Sequence, residues 1–80
     1  MTGTIVQIRA ASFAFMMNDE LVVTGEGVLQ VFDLNGRMLA SRELHGVQTM
    51  VSLPNVANGV YVLRLTEGSQ NRIQKMVISK

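Results

Sequence analysis

The sequence predicts an all-β fold, an immunoglobulin-like β-sandwich of about seven antiparallel strands, on three observations. Glycine recurs every 9–22 residues, at Gly3, Gly25, Gly27, Gly36, Gly46, Gly59 and Gly68, with one close pair at 25 and 27. Between the glycines lie short runs rich in valine, isoleucine, leucine and aromatics, the pattern of strands joined by turns in a sandwich or barrel. No window of adequate length offers apolar residues at i, i+3, i+4 and i+7 without glycine, so no sustained helix is expected.

Taken in order, strands are expected near 4–9, 12–17, 20–24, 28–34, 37–44, 48–53, 60–66 and 71–79. The second is the least obvious, because Ala10-Ala-Ser-Phe-Ala-Phe-Met-Met contains good helix formers. The alternation Phe13, Phe15, Met17 favours a strand there. Asn35-Gly36, between Phe32-Asp-Leu and Arg37-Met-Leu, signals a hairpin, since a type I′ turn needs positive φ at both central residues. With Leu34 and Arg37 flanking that turn, Asp33 faces Met38, Phe32 faces Leu39 and Val31 faces Ala40. Asn58-Gly59 is a second such dipeptide, just before Val60-Tyr-Val-Leu-Arg-Leu-Thr. In that run Tyr61, Leu63 and Leu65 share one face, and Val60, Val62, Arg64 and Thr66 the other. Glu67-Gly-Ser-Gln-Asn then links it to Arg72–Lys80 in a third hairpin. Pro54 falls between strands, where its missing N–H interrupts no ladder.

Eighty residues make one small domain, expected to be excised from a larger secreted protein. A chain of this size has a thin core, and with no cysteine it must be held by apolar packing. Apolar residues are 48% of the composition and charged residues only 16%. The net charge of +1 gives no electrostatic case for nucleic acid. No run approaches the roughly 18 apolar residues of a spanning helix. Met1-Thr-Gly-Thr-Ile has neither the basic nor the apolar region of a signal peptide, so none is expected.

The inventory for catalysis is poor, and no enzyme, metal site or cofactor is expected. His45 is the only histidine, between Leu44 and Gly46 at an expected hairpin tip, where solvent is its ordinary environment. Asp19-Glu20 is the only adjacent acidic pair and reads as solvated charge beside a turn. Glu26 sits in Gly25-Glu-Gly, which lacks the following Lys-Ser/Thr of a phosphate loop. Arg64, Arg72, Lys75 and Lys80 form at most a weak basic strip, and four aromatics supply no base-stacking surface. Met16, Met17, Met38, Met50 and Met76 lie in apolar runs, where filling gaps in a core is the usual use.

Four segments in fixed order carry more. Val31-Phe-Asp-Leu-Asn-Gly-Arg-Met-Leu is followed by Val51-Ser-Leu-Pro, Asn58-Gly-Val-Tyr-Val-Leu-Arg-Leu and Gln74-Lys-Met-Val-Ile-Ser-Lys. Over 28–80 the chain resembles the type A C-terminal sorting domain of the type IX (Por) secretion system of Bacteroidota. That family is marked by an aromatic-Asp-x-x-Gly-Arg/Lys hairpin, a Leu-x-x-Gly-x-Tyr approach to a strand and a basic terminal strand. The resemblance carries the hairpin motif to Asp33, Asn35, Gly36 and Arg37, the Gly-x-Tyr to Gly59 and Tyr61, and the terminal lysines to Lys75 and Lys80. Residues 1–27 depart from the family pattern, with Met1-Thr-Gly-Thr where many members carry an aromatic-Pro-Asn-Pro segment.

What the resemblance implies is a folded export signal that takes a passenger across the outer membrane. Its partners would be the type IX translocon, an outer-membrane shuttle protein and a sortase-like surface protease that joins the passenger to anionic lipopolysaccharide. The passage would run through the periplasm to the cell surface, the outer membrane or the medium. Rival readings are an interaction or carbohydrate-binding module of a secreted hydrolase, or a domain retained on a type IX secretion component. Phe13, Phe15, Phe32 and Tyr61 read as inward-facing, which counts against an aromatic sugar platform. Open strand edges leave a strand-swapped homodimer as a further partner.

Overall fold

A computed structural model describes residues 12–80. They form β1 (Ala14–Met17), β2 (Glu20–Thr24), β3 (Gly27–Phe32), β4 (Met38–Leu44), β5 (Gln48–Val51), β6 (Gly59–Glu67) and β7 (Gln70–Ile78). Seven of the eight expected runs are strands, and the run at 4–9 lies outside the described residues. The order β1-β2-β5 makes one sheet and β4-β3-β6-β7 the other, every pair antiparallel. Strands one, two and five against three, six and seven is the partition of an immunoglobulin-like sandwich, with β4 added at the edge of the larger sheet.

Alternation builds the core. Leu21 and Val23 of the first sheet meet Leu29, Val31, Leu63 and Leu65 of the second, all buried, with Ile78 closing the end of β7. The expected inward set Tyr61, Leu63 and Leu65 is on the core side. Val22 is also buried, yet it stands apart from that core cluster. It pairs with Phe15 on one side and Met50 on the other, and these two cover it on the outer face of the small sheet.

Several expectations are corrected. Phe15 is 46% exposed on that outer face, and Phe32 lies outward opposite Val62, so only Phe13 and Tyr61 are inward aromatics. Phe13 precedes β1, where the strict alternation with Phe15 does not hold. Met16 and Met76 pack against the core, but Met17, Met38 and Met50 are exposed. Asn58-Gly59 is not a hairpin turn, because β5 and β6 belong to different sheets and Gly59 has no positive φ. His45 likewise sits on a crossover from β4 to β5, exposed but not at a hairpin tip. The type I′ geometry occurs instead at Asn18 (φ 51) and Asp19 (φ 69), between the paired Met17 and Glu20.

Candidate recognition surface

The β3–β4 hairpin closes by a different turn from the one expected. The Gly36 N–H donates to the Asp33 carbonyl at 3.0 Å, the Asp33 N–H donates to the Arg37 carbonyl at 3.0 Å, and of the loop residues only Gly36 (φ +87) is left-handed. This is a three-residue loop with a glycine bulge, so Asn35 needs no positive φ. The extra residue shifts the register. Val31 faces Ala40 as expected, but Phe32 faces Met38, leaving Leu39 as the bulged residue. Asp33 holds the loop from within: its Oδ1 accepts from the N–H of Asn35 and of Arg37, each at 2.9 Å. Its Oδ2 accepts from Arg37 Nε at 3.2 Å. The Arg37 N–H holds the Asp33 carboxyl below its ordinary range; desolvation opposes it, and the Asn35 N–H and the Arg37 guanidinium add to the lowering.

The second motif is a brace on the crossover. The Tyr61 hydroxyl donates to the Ala57 carbonyl, four residues upstream, at 2.6 Å. This is the arrangement of a tyrosine corner in immunoglobulin-like domains. Its ring lies over Gly59, whose Cα position would bring an added Cβ only to 3.5 Å from the ring. Beside it the chain end is clasped. The Lys80 N–H donates to Asn58 Oδ1 at 2.9 Å, and Lys80 Nζ donates to the Leu53 carbonyl at 2.7 Å.

Register places these motifs together. Phe32 pairs with Met38 and Val62, and Gly59 pairs with Ile78. The Asp33–Arg37 turn, Gly59, Tyr61 and Lys80 therefore gather at one end of the four-stranded sheet. Lys75 stands apart, exposed on the outer face of β7 opposite Val62. The expected basic strip is divided. Arg64 and Lys75 point outward, Lys80 turns to Leu53, and Arg72 points in. Arg72 is seated over the Phe13 ring at 5.3 Å and lies 3.3 Å from Glu67, off the axis needed for its Nε to make a hydrogen bond.

The opposite end carries features that motif reading passed over. Gly25 (φ +127) and Gly27 (φ +128) form the crossover from β2 to β3, and a Cβ on Gly27 would overlap the Thr66 carbonyl oxygen. Between the sheets Gln74 acts as a stitch. Its Oε1 accepts from the N–H of Phe13 (2.8 Å) and Ala14 (3.0 Å), and its Nε2 donates to the Ala14 carbonyl (2.8 Å). A polar residue alternating inward with Met76 and Ile78 on an edge strand was the available signal for it. A shallow depression of about 430 Å³ at this end is lined by Glu26, Glu43, His45 and Glu67. Two of these acids serve the loops: Glu26 accepts from the Gly46 N–H at 2.9 Å and Glu67 from the Glu26 N–H at 3.2 Å. Among the described residues, no group of three or more acids and histidines is placed to hold a metal ion.

Comparison with curated proteins and with solved structures finds no match. A family described as the secretion system C-terminal sorting domain matches residues 4–79, a span that reaches well before the motifs at 28–80. With both motifs folded at one end of an immunoglobulin-like sandwich and the match covering nearly the whole chain, this chain belongs to the secretion system C-terminal sorting domain family, the C-terminal sorting signal of type IX secretion.

Proposed function

We propose that the domain works as a folded address rather than as a catalyst. The translocon and an outer-membrane shuttle protein recognise it on the periplasmic side, and the passenger then reaches the surface or the medium. A sortase-like protease then removes the domain and joins the passenger to anionic lipopolysaccharide. The observation that supports recognition of the folded state is the clasp of Lys80 by Asn58 and Leu53. It fixes the last strand as a defined edge of the larger sheet, and a sheet edge is a natural place for a partner to add a strand.

The test fuses residues 1–80 to a periplasm-targeted fluorescent protein in a type IX-competent host, with and without a working translocon. Translocon-dependent fluorescence outside the cell is the expected result. Deleting the last five residues, or appending a charged tail after Lys80, abolishes export if the terminal strand is recognised. Undiminished export of both variants overturns that part of the reading. Mass determination of the exported passenger distinguishes removal of the domain from its retention.

A further inference from the structure

The outer face of the four-stranded sheet divides into rows set by the register. One row is Met38, Phe32, Val62 and Lys75, and the next is Ser41, Gln30, Arg64 and Ile73. Val60 and Val77 pair beyond the first row, while Glu43, Val28, Thr66 and Asn71 make a polar row at the far end. The face is thus apolar at the end that carries the sorting motifs. Met38, Val60 and Val77 are exposed there at 51%, 39% and 59%, and Ile73 in the next row at 57%.

Arg64 sits within this patch and is held in one orientation. Its Nε and Nη2 both donate to Gln30 Oε1, at 2.9 and 2.6 Å, and its guanidinium lies over the Phe32 ring at 5.4 Å. Lys75 is its diagonal neighbour on β7, a separation of about 7–8 Å between Cα atoms in such a ladder. Among the described residues neither cation takes part in an ion pair. Two like charges set side by side in an apolar field, one of them oriented and half-buried, are unfavourable in isolation. A carboxylate placed between them relieves that repulsion and gains from the ordered guanidinium.

From this we infer that the outer face of the large sheet, centred on Arg64, docks a protein surface of the export machinery that presents a carboxylate within apolar side chains. The inference rests on the sorting role and names the surface that role uses. A protein is favoured over anionic glycolipid because branched aliphatic side chains around the cations complement apolar side chains and not sugars or phosphates.

The secretion assay tests it with the same fluorescent fusion, each variant's melting temperature being measured on the purified fusion. Arg64→Glu is expected to lower translocon-dependent secretion by about tenfold or more, since the charge pair becomes a repulsion. Arg64→Lys keeps the charge and restores secretion to within about threefold of the parent, because only the fork geometry is lost. Met17→Gln with Met50→Gln, on the outer face of the small sheet, leaves secretion unchanged. Folded Arg64→Glu exported at the parental level overturns the inference, as does an equal loss from the Met17/Met50 pair. If Arg64→Glu does not fold, Ile73→Ser with Val77→Ser reads the same face, and full export of that folded pair overturns it. Binding of the parent domain to vesicles containing anionic lipopolysaccharide, lost in Arg64→Glu, would assign the face to glycolipid and overturn the protein partner. Failure of the parent fusion itself to leave the cell would refute the sorting role instead, so the two failures are distinct.

Discussion

Replacing Gly27 by alanine puts a methyl group where the large sheet has no room for one. At φ +128 the new Cβ overlaps the Thr66 carbonyl oxygen and stands 3.0 Å from the Thr66 carbon and 3.3 Å from Glu67 Cα. All three neighbours are main chain, so no side-chain rotation relieves the overlap. The backbone conformation alone costs about 1–3 kcal/mol in a residue with a Cβ. Moving β3 away from β6 at the Val28–Thr66 pair sacrifices one or two ladder hydrogen bonds, each worth about 1 kcal/mol. The sum, about 2–5 kcal/mol, is a large part of the roughly 4–12 kcal/mol available to a chain of this length. Gly36 supplies the comparison, because it too is left-handed (φ +87) but a Cβ there would meet nothing within 4 Å. Gly36→Ala therefore carries only the conformational cost, about 1–2 kcal/mol. Melting followed by circular dichroism should show Gly27→Ala lowered by about 10–30 °C and Gly36→Ala by about 5–10 °C. Melting temperatures within about 3 °C of one another would mean that the crossover yields freely and that contact with Thr66 does not control it.

Further substitutions probe the braces. Gln74→Ala removes three hydrogen bonds between β7 and the first sheet and should cost about 2–3 kcal/mol; hydrogen exchange at the Phe13 and Ala14 amides should quicken, and unchanged protection there would refute the stitch. Tyr61→Phe loses the bond to the Ala57 carbonyl, about 1 kcal/mol by urea midpoint, because exposed Ala57 turns to water. Tyr61→Ala should cost about 3–5 kcal/mol by emptying the ring's place beneath the crossover. Asp33 titrates lower in the folded chain than in the unfolded one, so its stabilisation is present above the ordinary aspartate range and lost as pH falls through and below it. Asp33→Asn keeps an oxygen for the two loop N–H groups but cannot titrate. The melting difference between parent and variant should stay constant from pH 7 to about pH 5 and shrink below about pH 4; a constant difference down to pH 2 would contradict it.

Local pattern made much of this molecule legible. The strict alternation of 60–66 marks Leu63 and Leu65 as core, and the turn at Gly68 leaves β6 and β7 little choice but to pair. What sequence could not give is the sheet in which each strand lies. Asn58-Gly59 and His45-Gly46 resemble hairpin turns because the same residue types that reverse a chain also let it cross between sheets. Alternation, moreover, holds only inside a strand and does not by itself say which face meets the core: Phe13 lies before β1 and turns in while Phe15 turns out, and Phe32 lies on the outer face beside Val62. The one-residue shift at Leu39 had the same origin: Asp33, by taking two loop N–H groups, selects a three-residue loop over the two-residue turn that Asn-Gly suggests. The sorting motifs were readable as residues, but their gathering at one end follows only from the register of β3 with β6 and β6 with β7.

That gathering bears on how a folded export signal is read. Asp33, Gly36 and Arg37 close one hairpin, Tyr61 braces a crossover, and Asn58 clasps Lys80, so each motif prevents the strands at this end from splaying. Removing the Asp33, Tyr61 or Asn58 hydrogen bonds loosens the neighbouring sheet as well as their own contacts. The apolar rows that begin beside them, and the guanidinium of Arg64 fixed by Gln30 and Phe32, depend on that shape. A partner that binds a rigid face loses less conformational entropy than one that must order a frayed strand end, and the saving appears as affinity. Motif residues can therefore govern export from the end of the sheet, by preorganising a face to which most of them contribute no side chain.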